Sequence, residues 1–143
     1  MAGKQLKRNL RPGVDPYGRT ALHYAAFDGD VDQVAALLAA GADPGASDDD
    51  GWTPLHAAVQ AFAPAVCEML LRAGALVDAT DSYGNTPLWR AVFESKGRGE
   101  AISLLRRYGA DPLRKNAAGV SPLGLARTIG NYDVAQYFQD LAV

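Results

Sequence analysis

The chain has 143 residues, 48% of them hydrophobic and 21% charged, with a formal net charge of −2; this is ordinary globular composition, without the concentrated basic surface of a duplex-binding protein. One cysteine, Cys67, rules out an internal disulfide, the basic N-terminus lacks the apolar stretch of a secretory signal, and no segment approaches the ~18 apolar residues that cross a bilayer. A soluble protein of a reducing compartment, most simply the cytoplasm, is expected.

In chain order, residues 1–14 carry Lys4, Lys7, Arg8 and Arg11 and no acid. They predict a basic arm or an N-terminal cap, and both a disordered arm and one lying over the first unit stay open. Eight aspartates then fall between Asp15 and Asp50 against Arg19 alone. "DPYGRTALHYAA" begins at Asp15, with Thr20 as the N-cap of a short helix over "ALHYAAF". A glycine-bearing break leads to a second helix in "VDQVAALLAA", which closes on Gly41, a residue suited to the left-handed C-cap. "GADPGASDDD" has the composition of an exposed turn.

The same order recurs. "DDDGWTPLHAAV" spans Asp48 to Val59, "DSYGNTPLWRAV" begins at Asp81 and "NAAGVSPLGLAR" at Asn116. Thr53-Pro54, Thr86-Pro87 and Ser121-Pro122 each place a capping side chain before a proline at the first helical position, where a missing N–H costs little. The junction glycines Gly18, Gly51, Gly84 and Gly119 are 33, 33 and 35 residues apart, and Gly41, Gly74 and Gly109 run in step at 33 and 35. The two extra residues fall near "ESKGRGE", in a helix-to-helix loop. Helices this short are unstable alone in water, so stacked copies must share one core. Cys67, inside the apolar run "AVCEMLL", predicts a buried, inert thiol.

The period, the paired helices and the "TPLH" signature resemble ankyrin repeats. "TALHYAA" at Thr20 and "TPLHAAV" at Thr53 match well, whereas Trp89 and Gly124 replace the histidine in the later units. The resemblance implies an all-α ankyrin-repeat solenoid of stacked helix-turn-helix units joined by β-turn or hairpin-like loops. It forms one domain over residues 15–143, with repeats at about 15–47, 48–80, 81–115 and 116–143. The polar residues of "NYDVAQYFQDLAV" mark the last unit as a C-terminal cap. The resemblance also implies that His23 and His56 are structural, hydrogen-bonding near the turn.

Catalytic, cofactor and metal sites are not expected. The chain holds no phosphate-cradling glycine loop, no "GxSxG" elbow, no "HExxH" and no Cys/His cluster, and Asp48, Asp49 and Asp50 are consecutive, unlike a calcium loop. An enzyme, a small-molecule substrate, nucleic acid and a membrane are therefore all disfavoured, and a monomer that binds another protein is expected. In the resembled family, turn tips and exposed first-helix positions form a concave palm that binds proteins. Carried over, these are Tyr17, Arg19, Phe27 and Asp28, then Asp49, Asp50, Trp52 and Gln60, then Ser82, Tyr83, Asn85, Phe93 and Glu94. Five aromatics in register favour partner contact, and acids on the first three units favour a partner with a basic patch. Trp52→Ala with Tyr83→Ala is expected to weaken binding and leave thermal stability nearly unchanged. The specific reading is an inhibitor or immunity protein for a cognate enzyme or toxin; the alternative is a scaffold or adaptor subunit that docks permanently or self-associates.

Overall fold

The computed structural model describes residues 13–141; most of the basic segment expected at 1–14 lies outside these residues. Four helical pairs follow in order: α1 (Ala21–Phe27) and α2 (Val31–Ala39), α3 (Pro54–Gln60) and α4 (Pro64–Arg72), α5 (Pro87–Glu94) and α6 (Glu100–Arg107), then α7 (Pro122–Thr128) and a short 3-10 helix, η1 (Val134–Phe138). No strand forms among the described residues. First helices stack on first helices and second on second, each pair also meeting within its own repeat.

Each first helix starts where its cap predicts. The side chains of Thr20, Thr53, Thr86 and Ser121 accept from the backbone N–H three residues on. In the first two repeats the histidine answers: the N–H of Thr20 donates to His23 Nδ1 at 3.0 Å and that of Thr53 to His56 Nδ1 at 3.2 Å. This fixes Nδ1 as acceptor and leaves Nε2–H to donate, which it does across the repeat boundary, to Trp52 O at 2.8 Å and Asn85 O at 3.0 Å. The structural role expected for both histidines is thus a bridge between successive turns. Trp89 cannot make that bridge, and its indole N–H is buried without a partner among the described residues. The third and fourth repeats are joined instead by Asn116 Nδ2, which donates to Asn85 Oδ1 at 2.8 Å.

The recurring acid-and-glycine junction is a tight turn. Its first residue, Asp15, Asp48, Asp81 or Asn116, accepts through one side-chain oxygen from the N–H groups two and four residues ahead. One backbone bond of 2.9 Å stitches each turn to the next: Asp49 N–H to Tyr17 O, Ser82 N–H to Asp50 O and Ala117 N–H to Tyr83 O. Gly51 shows why a glycine stands here. Its φ is +79°, and an added Cβ would lie 2.8 Å from Asp81 Cα in the adjoining turn.

Beneath the turns the core is built in columns. Leu22, Leu55, Leu88 and Leu123 are buried at equivalent positions of the first helices, as are Val34, Cys67 and Ile102 of the second. Each such leucine contributes about 1.5–3 kcal/mol through burial. Cys67 therefore occupies a place where its neighbouring repeats put Val and Ile, and burial pushes its thiol up to about 12. Gly41, Gly74 and Gly109 hold the left-handed C-cap conformation expected of them.

Residues 95–99 connect α5 to α6, against three-residue links at 28–30 and 61–63; the insertion lies in the helix-to-helix loop, as its position predicts. The loop clasps the terminal unit. Tyr137 Oη donates to Gly97 O at 2.9 Å, while on the other side of the loop Arg98 lies over the Phe62 ring of the second repeat with its guanidinium carbon 3.5 Å from the centroid. Arg106 completes the attachment by a forked bond to Asp140, 2.6 and 2.7 Å.

Candidate functional site

The turn tips and the exposed sides of α1, α3 and α5 face a common cleft of about 570 Å³, lined by Arg19, Tyr24, Phe27, Asp48, Asp50, Trp52, Gln60, Tyr83 and Arg90. Six of the thirteen residues selected from sequence line it: Arg19, Phe27, Asp50, Trp52, Gln60 and Tyr83. Around these, Tyr17, Asp28, Asp49, Ser82 and Phe93 are exposed, while Glu94 is half-buried. Asn85 is corrected by the structure. It is 5% exposed, and its side chain holds Asn116 instead of facing a partner. Asp48 departs in the same way from the solvated turn its acidic neighbours predict: it is buried, its Oδ1 caps the turn and its Oδ2 lies 3.6 Å from Arg19 Nε.

Two arginines organise the cleft. The Arg19 guanidinium lies over Tyr17, Tyr24 and Phe27 at 5.4, 6.0 and 5.5 Å from the ring centroids. That of Arg90 lies over Trp52, Trp89 and Phe93 at 5.1, 5.7 and 5.3 Å. Between them Phe27 and Trp52 stack at 6.0 Å, so guanidinium, ring, ring and guanidinium succeed one another across three repeats. Trp89 and Phe93 stack at 5.4 Å. Each arginine has an acid beside it, Asp48 for Arg19 and Glu94, at 3.3 Å, for Arg90. Tyr24 adds a hydrogen bond from its hydroxyl to Asp15. A cation over a ring is worth about 0.5–2 kcal/mol, so the array holds its side chains in place before any partner arrives.

Tyr24 and Arg90 were absent from the sequence-based selection. They share one register position, directly after the histidine column, which reads Tyr24, Ala57, Arg90 and Leu125 along the chain. In the second repeat it holds a fully buried alanine, so the column looks like core. Trp52 also differs from expectation. It stacks on Phe27 and on His56 at 5.8 Å, so truncating it removes packing as well as surface, and Trp52→Ala will lower stability.

Chemically the cleft offers ring faces, two arginines each beside an acid, the Asp50 carboxylate and the Gln60 amide. Among the described residues there is no group of three His, Cys, Asp or Glu side chains that could hold a metal, and no helix is long and apolar enough to cross a membrane. His56 is held below the usual imidazole range by its burial.

Comparison with known proteins agrees with this architecture. The family described as ankyrin repeats, in three copies, matches residues 22–116. A tyrosine-protein kinase of Hydra vulgaris, HTK16, is 31% identical over 128 residues, 88% of this chain and 17% of the kinase. The 2-5A-dependent ribonuclease of Mus musculus is 34% identical over 108 residues, 75% of this chain and 10% of that protein. Protein phosphatase 1 regulatory subunit 12A of Mus musculus is 45% identical over 53 residues, 37% of this chain and 5% of that subunit. The chain thus spans a small fraction of the length of each of these relatives.

Proposed function

Since this chain belongs to the ankyrin-repeat family, whose repeats are non-enzymatic protein-interaction modules, we propose that it binds its partner protein in the aromatic palm formed by the first three repeats. The observation that carries this reading is the arginine-ordered ring array beside a cleft of about 570 Å³. Affinity at protein interfaces concentrates in preorganised aromatic and arginine side chains near the centre of the contact. Tyr83, 71% exposed, is the aromatic whose loss should cost binding without costing the fold.

Within that class we infer control of an enzyme, as an inhibitor or as an immunity protein for a cognate toxin, in a reducing compartment such as the cytoplasm. The exposed carboxylates of Asp28 and Asp50, which suit a basic partner surface, support it, as does the phosphatase regulatory subunit among the matched relatives. The lone cysteine, buried and unpaired, supports the compartment.

The test is affinity capture with the wild type, with Tyr83→Ala, and with Val31→Ser on the outer face of α2 as control. A protein retained by the wild type and the control but lost by Tyr83→Ala supports the palm, and inhibition of that protein's activity supports the regulatory role. Retention by all three would refute the palm. A dimer in sedimentation equilibrium would favour the scaffold alternative.

A further inference from the structure

We propose that the palm, on the protein-binding reading above, seats an arginine side chain of the partner at the middle turn tip, with the Asp50 carboxylate as its counter-charge. Equivalent tip positions in the first three repeats are held by Tyr17, Asp50 and Tyr83. The inter-turn bonds from Asp49 N–H to Tyr17 O and from Ser82 N–H to Asp50 O make them neighbours in space. Tyr17 and Tyr83 are 58% and 71% exposed, and Asp50 is exposed between them.

Among the acids that line the cleft, Asp48 and Asp50, charge pairing singles out Asp50. Asp48 lies against Arg19 and Glu94 against Arg90, so the acids and bases at those points offset each other. The Asp50 carboxylate makes no hydrogen bond or ion pair among the described residues; only the backbone of this residue is engaged, its N–H by Asp48 and its carbonyl by Ser82. One uncompensated anion therefore stands at the mouth of the cleft, in the tip row between Tyr83, whose ring carries no cation among the described residues, and Tyr17, whose ring is already covered by Arg19. An exposed carboxylate with an exposed, unoccupied phenol ring at the next tip selects a cation, because both attract positive charge.

A guanidinium fits better than an ammonium. Its plane can stack on Tyr83 while its edge donates two parallel hydrogen bonds to the carboxylate, which a compact ammonium cannot do together. The fold itself uses this pairing, for every cation lying over a ring among the described residues is an arginine. The arginine is supplied by a protein partner, whose backbone can follow the row of tips while the remaining cleft takes neighbouring side chains.

The experiment uses the isotopically labelled full chain and three blocked tripeptides, glycyl-X-glycine with X as arginine, citrulline or glutamate, followed by NMR into the millimolar range. Arginine should produce saturable shifts at Asp50, Tyr83 and the Trp52 indole N–H, and citrulline, equal in shape but uncharged, should not. Asp50→Asn, whose spectrum should otherwise match the wild type, should weaken the arginine peptide by roughly two- to fivefold. The inference is overturned if citrulline or glutamate binds as well as arginine, if Asp50→Asn leaves binding unchanged, or if no tip resonance moves. Any of these results together with Tyr83→Ala still losing the captured partner rejects the arginine while the palm stands.

Discussion

Gly99→Ala tests the clasp between the insertion loop and the terminal repeat. The Gly99 φ is −107°, a value any residue adopts, so an alanine brings no backbone strain. Its Cβ, however, would lie 2.1, 2.2 and 2.6 Å from Cε1, Cζ and Cδ1 of Tyr137. Carbon atoms rest at about 3.5–4 Å, so the ring must move by more than an ångström. Moving it breaks the 2.9 Å bond from Tyr137 Oη to Gly97 O, a loss of about 1 kcal/mol, and forces repacking at about 1–3 kcal/mol. The total of roughly 2–4 kcal/mol corresponds to a fall in Tm of about 6–12 °C for a chain of this size. Because stability in a stacked array is held between neighbours, loss of hydrogen-exchange protection should begin in η1. The assay is thermal and urea unfolding by circular dichroism, with amide exchange, in wild-type and Tyr137→Ala backgrounds. In the second background the ring is gone, and the same glycine substitution should cost only a few tenths of a kcal/mol. An equal loss in both backgrounds, or none in either, refutes the reasoning.

Three further outcomes are expected. Gly51→Ala meets backbone at 2.8 Å whereas Gly119→Ala, at a similar φ of +80°, meets nothing within 4 Å; urea unfolding should show the first costing about 1–3 kcal/mol more than the second. Burial lowers the folded-state pKa of His56, so the unfolded chain binds the proton first: stability is full above about pH 6.5 and is lost as pH falls below it toward the folded pKa. Urea midpoints that stay constant down to about pH 5 would contradict this contribution of His56. Finally, with its pKa pushed up to about 12 and its side chain buried, Cys67 should resist iodoacetamide in the native protein at neutral pH and react readily once urea unfolds it.

The repeat was legible because its parts are local. A threonine before a proline, a glycine after a leucine run and a histidine three residues past its cap each act within one turn of helix, and their recurrence at 33 residues marks the units. The candidate site was legible only where its members share those local columns. Arg90 and Tyr24 escaped because their column contains Ala57, and only the three-dimensional stack turns its larger members toward one cleft. Asp48 misled for the opposite reason. Three consecutive aspartates look like solvated charge, yet the first is the turn-closing residue of every junction, a role visible in the column Asp15, Asp48, Asp81 and Asn116. The clasp could not be seen at all, since Gly97 and Tyr137 are 40 residues apart and obey no period.

These differences change how the palm's charge should be weighed. By sequence the first three units are acidic, and attraction to a basic partner would be diffuse, raising association rates and fading with salt. The structure places Arg19 and Arg90 within the same cleft and sets Asp48 and Glu94 against them. Those acids then act inward, ordering the rings, and the outward field is left to fewer groups, Asp50 foremost. A single carboxylate between exposed tyrosines selects by geometry more than by long-range field, so its effect should fall mainly on dissociation. Asp28→Asn, at the rim, should instead alter the association rate and its salt dependence. Stopped-flow binding of the captured partner at two salt concentrations separates the two: if both substitutions changed association alone, the palm would be a steering surface with no seat at its centre.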